Sequence, residues 1–183
     1  MIEDERNLII RAKGGEAEAF GLLYDEYLPK IYRFVLLKTG HREEAEDLTH
    51  QVFLQAWKSL KSYNDQGYPF SSWLYRIARN LTVDYYRRFR LNIPLEESRF
   101  FGAKDEIDLA VNFDLSKEST RLTVAIQKLK DIEQTVIIMR FIDELSIKET
   151  AGAIDKSEGA VKLIQHRAIQ KLKKLMSEDK ENK

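Results

Sequence analysis

Residues 146–175 read SIKETAGAIDKSEGAVKLIQHRAIQKLKKL. Ser146 and Glu149 stand in the S-x-x-E order of a capping box, in which each side chain bonds the other residue's backbone and opens a helix. That helix is short and ends near Ile154. Asp155, Lys156 and Ser157 form a turn, and Ser157 can cap the helix that follows. In that helix Ala160, Val161, Ile164, Ala168, Leu172 and Leu175 recur at helical spacing and mark an inner face. A short helix, a tight turn and a longer basic helix make a helix-turn-helix, whose second helix fits the major groove of duplex DNA. Ser157 and Glu158 stand at the groove-entering end. Off the inner face lie Lys162, Leu163, Gln165, His166 and Arg167. Lys and Arg donate to guanine edges or phosphates, Gln and His bond base edges, and Leu163 can touch a thymine methyl. Lys171, Lys173 and Lys174 come later and fit phosphates or solvent. A three-helix bundle with a basic end would show the same pattern, so the pattern by itself leaves DNA binding open.

Upstream, the chain is also helical in pattern. Phe20, Leu23, Tyr24, Tyr27, Leu28, Ile31 and Val35 form one stripe, and Pro29 inside it predicts a kink or break. Gly40 closes that segment. Ala45, Leu48, Val52, Ala56 and Leu60 mark a second helix. After the turn-rich stretch SYNDQGYP at 62–69, a third helix is expected from Ser71, with Leu74, Ile77, Ala78, Leu81 and Tyr85 inward. Its other face aligns Trp73, Arg76, Asn80, Asp84 and Arg87, flanked by Arg79 and Arg88. Tyr63, Tyr68 and Phe70 lie in or beside the preceding loop. Aromatic rings beside arginines suit single-stranded nucleic acid, because exposed bases stack while the backbone needs positive charge. An amide such as Asn80 can read the edge of an unstacked base. For Trp73 and Tyr85, burial in a core is the stronger reading.

From Asn92 to about Ser116 no period is sustained, and acids dominate. The expected organisation is therefore all-α: a helical domain over 1–91, an acidic linker over 92–117 and a second helical domain over 118–183. The second domain carries further helices around Arg121 to Leu129 and Glu133 to Ile142.

Charge is segregated along this plan. The chain has 30 basic and 30 acidic side chains among its 183 residues, so bulk charge points to no partner. Locally, five arginines face one acid between Phe70 and Arg90, and six bases face one acid between Lys156 and Leu175. Two basic helices separated by acids suggest two contacts with polyanions. Between His41 and His50, four acids (Glu43, Glu44, Glu46 and Asp47) meet one base, Arg42. Helix-dipole complementation explains Glu43 and Glu44. Glu46, Asp47 and Gln51 instead suit a protein partner bearing arginines.

Several chemistries are excluded. Cysteine is absent, which removes disulfides, thiol catalysis and thiolate metal sites. The three histidines have no metal-ligand spacing, and no nucleophile triad or phosphate-cradling glycine loop is present. The expectation is a non-enzyme without cofactor or metal. Short apolar runs and the start MIEDERN point to a soluble cytoplasmic protein.

The stretches AEDLTHQVFLQAW (45–57) and FSSWLYRIARNLTVDYYRR (70–88) resemble region 2 of the extracytoplasmic-function (ECF) sigma factors of bacterial RNA polymerase. LSIKETAGAIDKSEGAVKLIQHRAIQKLKK resembles their region 4. The order, the spacing and the acidic linker are similar too. The resemblance implies that Glu46, Asp47, Gln51, Phe53 and Leu54 meet the clamp helices of the largest subunit of core RNA polymerase. It implies that Trp73, Arg76, Arg79, Asn80, Asp84, Arg87 and Arg88 serve the opened −10 element. Ser157, Glu158, Lys162, Leu163, His166 and Arg167 would read the −35 element as duplex. A membrane-bound anti-sigma factor is the implied regulator. Three positions depart from the family pattern: Lys130 replaces a usual Pro, Asp155 a common turn Gly, and Leu163 a frequent small polar residue. Asp tolerates left-handed backbone, so the turn survives. Read from the residues without the resemblance, a stand-alone helix-turn-helix repressor is the alternative. An enzyme with a DNA-binding tail is a more distant one, since Glu46 and Asp47 lack a second carboxylate set.

Overall fold

A computed structural model describes residues 5–64, 67–92 and 117–181. Among them every regular element is helical: α1 (Glu5–Lys13), α2 (Ala17–Thr39), α3 (Arg42–Ser59), α4 (Phe70–Asn92), α5 (Lys117–Gln127), α6 (Asp131–Ile137), α7 (Ile147–Ile154) and α8 (Glu158–Glu181). A 3-10 turn (Leu60–Ser62) follows α3, and a π turn (Ile138–Ile142) continues α6. Most of the linker expected over 92–117 lies outside the described residues.

The N-terminal half is built on α2, which packs against α1, α3 and α4. Its stripe behaves as the spacing requires: Leu23, Tyr27, Ile31 and Val35 are buried, and Phe20, Tyr24 and Leu28 are half-buried. Each fully buried side chain of this size contributes about 1.5–3 kcal/mol. The break expected at Pro29 does not occur, and α2 runs through it. Pro29 and Asp25 both face solvent, so water can take the carbonyl bond that proline cannot make, while the opposite face is held by core. Gly40 ends α2 in the left-handed region (φ 77°), where its N–H bonds the Leu36 carbonyl. The helix expected from Ser71 is α4, which begins one residue earlier, at Phe70. Tyr63, Phe70 and Trp73 pack with ring centroids 5.0–5.5 Å apart and fix the entrance to α4.

In the C-terminal half, α5, α6 and α7 pack on α8. Lys130 precedes α6 at φ −64° and ψ 148°, and its N–H donates to Glu133 Oε2 at 3.3 Å. A backbone already held near the proline angle explains how Lys serves at the position where the resemblance noted above would place Pro. Glu133 is buried and also accepts from Lys171 Nζ, at 2.6 Å and 2.8 Å. Lys171, expected at phosphates or solvent, is thus tied to α6.

The two halves share one buried cluster, which runs from Leu8 to Ala168. The principal seam lies where α4 meets α7.

Candidate nucleic-acid interface

The helix-turn-helix is assembled by short-range bonds. Glu149 N–H donates to Ser146 Oγ (3.1 Å), and Ser146 N–H donates to Glu149 Oε2 (2.7 Å), completing the capping box. Asp155 takes the left-handed conformation (φ 54°) that the turn needs. Ala160 N–H donates to Ser157 Oγ at 3.2 Å and starts α8. Ser157, Glu158, Lys162, Leu163, His166 and Arg167 are all exposed, and half of the Leu163 surface is open. Gln165 is only half-buried at the flank, where its Oε1 accepts from Arg140 Nε (3.2 Å). Arg140 also donates to the Leu145 carbonyl, so one guanidinium joins the π turn, the approach to α7 and α8.

The α4 line divides into two parts. Asn80, Arg87 and Arg88 are exposed, and Arg87 pairs with Asp84 at 3.1 Å. Trp73 is half-buried in the aromatic cluster. Arg76 and Arg79 turn toward the C-terminal half: Arg76 donates to the Gly152 carbonyl, and Arg79 lies 3.9 Å from an Asp131 carboxylate oxygen.

On α3, Glu46, Asp47, Gln51 and Leu54 are exposed, with Glu46 held by Arg42 at 2.8 Å. Phe53 does not share that surface. It is 5% exposed and packs edge-on to Tyr24 at 4.6 Å. It belongs to the floor of a groove of about 440 Å³ lined by Ala17, Phe20, Tyr24, His50, Phe53, Leu54 and Trp57. The sequence reading missed this groove. Its signal was available: Leu54 and Trp57 stand outside the buried stripe of α3 yet are large and apolar.

The seam between the halves was also invisible in the sequence. Lys38 Nζ is fully buried and donates to the Asp131 carboxylate and to Thr135 Oγ1 (3.1 Å). Burial lowers its basicity more than Asp131 raises it. Gln134 Nε2 donates to the Leu37 carbonyl (3.2 Å) and Tyr86 Oη to the Lys38 carbonyl (2.7 Å). Burial likewise pushes the Tyr86 hydroxyl up. Among the described residues no group of three or more His, Asp or Glu is arranged to hold a metal ion, and no helix is long and apolar enough to cross a membrane.

Chemically, the exposed face of α8 offers cations, an imidazole and one apolar contact to a groove, while α4 offers donors and rings. The family described as sigma-70 region 2 matches residues 23–90, and that described as sigma-70 region 4 matches residues 125–174. ECF RNA polymerase sigma factor BldN of Streptomyces coelicolor is 35% identical over 174 residues, covering 94% of this chain and 66% of its own length. ECF RNA polymerase sigma factor SigW of Bacillus subtilis is 33% identical over 178 residues, covering 91% of this chain and 93% of its own. Among solved structures, CnrH in complex with the cytosolic domain of CnrY aligns with a TM-score of 0.74 at 25% identity, over 96% of this chain and 98% of CnrH. The sigma factor RpoE bound to the anti-sigma factor NepR, from Bartonella quintana, shares the fold (TM-score 0.65, 22% identity, 86% of this chain and 96% of that one).

Proposed function

This chain belongs to the ECF sigma factors of bacterial RNA polymerase, and from that membership we propose how its surfaces divide the work of promoter recognition. Residues 118–183 bind the −35 element as duplex. The N-terminal turns of α8 enter the major groove, where Lys162, His166 and Arg167 donate to base edges and phosphates and Leu163 makes apolar contact. Residues 1–91 bind the polymerase and the −10 element. Glu46, Asp47, Gln51 and Leu54 meet the clamp helices, while Phe53 supports them from beneath. Trp73, Arg76, Arg79, Asn80, Asp84, Arg87 and Arg88 follow the displaced strand. Stacking of an exposed base on an aromatic ring is worth about 1–3 kcal/mol, which offsets part of the cost of opening. Residues 92–117 join the two sites, so that on one polymerase each raises the effective concentration of the other. No covalent step falls to this chain.

The observation that carries this reading is the outward face of α8: a capped, correctly turned helix with four recognition side chains in solvent. CnrH is held by the cytosolic domain of CnrY, and for this chain the corresponding proposal is an anti-sigma factor anchored at the membrane. The test is run-off transcription by purified core polymerase on a genomic promoter library, with and without this chain. Transcripts that start at shared −35/−10 pairs only when the chain is added are the expected result. Tight duplex binding without polymerase, and no new transcripts, would instead favour a stand-alone repressor.

A further inference from the structure

Arg140 and Gln165 stand 25 residues apart and meet on the flank of α8. Arg140 Nε donates to Gln165 Oε1 at 3.2 Å, and Arg140 Nη1 donates to the Leu145 carbonyl, one residue before the Ser146 cap of α7. A guanidinium has donors and no acceptor. The part of the Gln165 amide that faces it is therefore the oxygen, and the NH2 group points away. That nitrogen makes no bond to the described residues and is not among their buried unpaired atoms, so it keeps contact with water.

Gln165 follows the exposed Lys162 by three residues, so it borders the face of α8 that enters the groove. Side chains at such an edge reach the phosphates that flank the groove. An adenine reader must present a donor and an acceptor side by side, to N7 and N6. With its oxygen turned inward onto Arg140, Gln165 presents donors alone. The charged bond also polarises the amide and strengthens its outward N–H groups as donors. A phosphate oxygen, which only accepts, is the matching ligand.

We propose that Arg140 is a positioning residue of the −35 site: it holds the Gln165 amide nitrogen outward as a clamp on one phosphate at the groove edge, and through Leu145 it ties the start of α7 to that clamp. This rests on the assignment of α8 to the −35 duplex, and it replaces the base-edge role that the sequence suggests for Gln165. Arg140 touches no DNA itself and acts through Gln165.

The test uses the full chain bound to core polymerase and synthetic duplexes of a promoter recovered by run-off transcription. One −35 phosphate at a time is replaced by an uncharged methylphosphonate, and affinity in the closed complex is read by competition. At one phosphate the replacement should weaken the native chain about tenfold and leave Gln165→Ala nearly unaffected. Arg140→Met should lose sensitivity at the same phosphate, while its slope of log affinity against log salt stays native, because Arg140 displaces no counterion. Adding Gln165→Lys to Arg140→Met should restore the sensitivity, since an ammonium donates in any orientation. The proposal is overturned if no phosphate separates the native chain from Gln165→Ala, or if Arg140→Met keeps the sensitivity. A salt slope lowered by about 0.9 in Arg140→Met also overturns it, by making Arg140 the phosphate contact. So does a loss on 7-deaza-adenine duplexes that Gln165→Ala does not share, which would return Gln165 to base reading. Gln165→Ala leaves the Arg140 bond to Leu145 in place, so its arm decides the matter even if Arg140→Met does not fold. The −35 sequence itself separates the two levels. If the native chain discriminates −35 sequences but the Gln165 arm fails, the positioning role falls and the assignment of α8 stands. If the native chain is indifferent to the −35 sequence, both fall.

Discussion

Arg33 and Asp143 meet across 110 residues of chain, with Arg33 Nε 2.7 Å and Nη2 2.5 Å from the same oxygen, Asp143 Oδ1. The Asp143 side chain is fully buried, whereas Arg33 keeps 33% of its surface in water. Burial pushes the Asp143 carboxyl up, and the Arg33 guanidinium pulls it back only in part. Its second oxygen and the buried Tyr75 hydroxyl interact without a well-aligned bond between them. Asp143→Ala removes a buried acceptor and strands part of the guanidinium. The expected loss is about 1–3 kcal/mol in urea unfolding, below that of a fully buried pair because Arg33 is partly solvated. A loss confined to a few tenths of a kcal/mol would show that the pair is a surface contact in energetic terms.

The alkaline side of the stability profile should be set by Lys38. Burial lowers it from its ordinary value of 10.5 despite Asp131. Between the lowered value and 10.5 the unfolded chain binds more protons than the folded one, so stability rises with pH. The trend reverses above about pH 10, where the buried Tyr27 and Tyr75 hydroxyls, both pushed up, keep protons that the unfolded chain releases. Lys38→Met should abolish the rise. Asp131 is 45% exposed and can turn to water, so the substitution should itself cost little. Urea midpoints measured at intervals from about pH 8 to pH 10 decide the matter, and a native chain with a flat profile contradicts it.

Asp47 is exposed on α3. Asp47→Arg should leave the melting temperature unchanged and weaken the association with core polymerase by about tenfold or more, as like charges meet at the contact. Competition against the native chain for a limiting amount of core enzyme measures this. Equal competition would remove α3 from the contact.

Arg167 is exposed on α8. Arg167→Ala should lower affinity for the −35 duplex by about 1–3 kcal/mol if it reads a base, with the preference at one base pair relaxed. A uniform loss over all sequences, with a shallower salt dependence, would instead make it a phosphate contact.

Asn80 is exposed on α4. Asn80→Ala should slow promoter opening while leaving the closed complex nearly intact. Permanganate reactivity of the melted thymines, followed in time, reports the step. A mutant that opens promoters at the native rate has no base pocket at that position.

The parts that were readable in advance are those closed by near neighbours. Ser146, Glu149, Asp155 and Ser157 fix the bounds of α7 and the start of α8 by bonds spanning a few residues, and each sits where its chemistry requires. The stripes of α2, α3 and α4 follow from period alone. Errors arose where a residue's surroundings come from elsewhere in the chain. Pro29 survives inside α2 because the far face is held by core. Phe53 points into the groove beside Tyr24. Ser71 reaches Glu149 in the other half.

The sequence by itself determined the helices, their caps, the helix-turn-helix and the two basic faces, because propensity, capping and helical periodicity act over a few residues. Only the tertiary structure decided that the halves close on each other. Lys38 finds Asp131, Arg33 finds Asp143 and Arg76 finds Gly152 across separations of 93, 110 and 76 residues. Such pairings depend on shape and on desolvated charge meeting in three dimensions, and no local pattern encodes either.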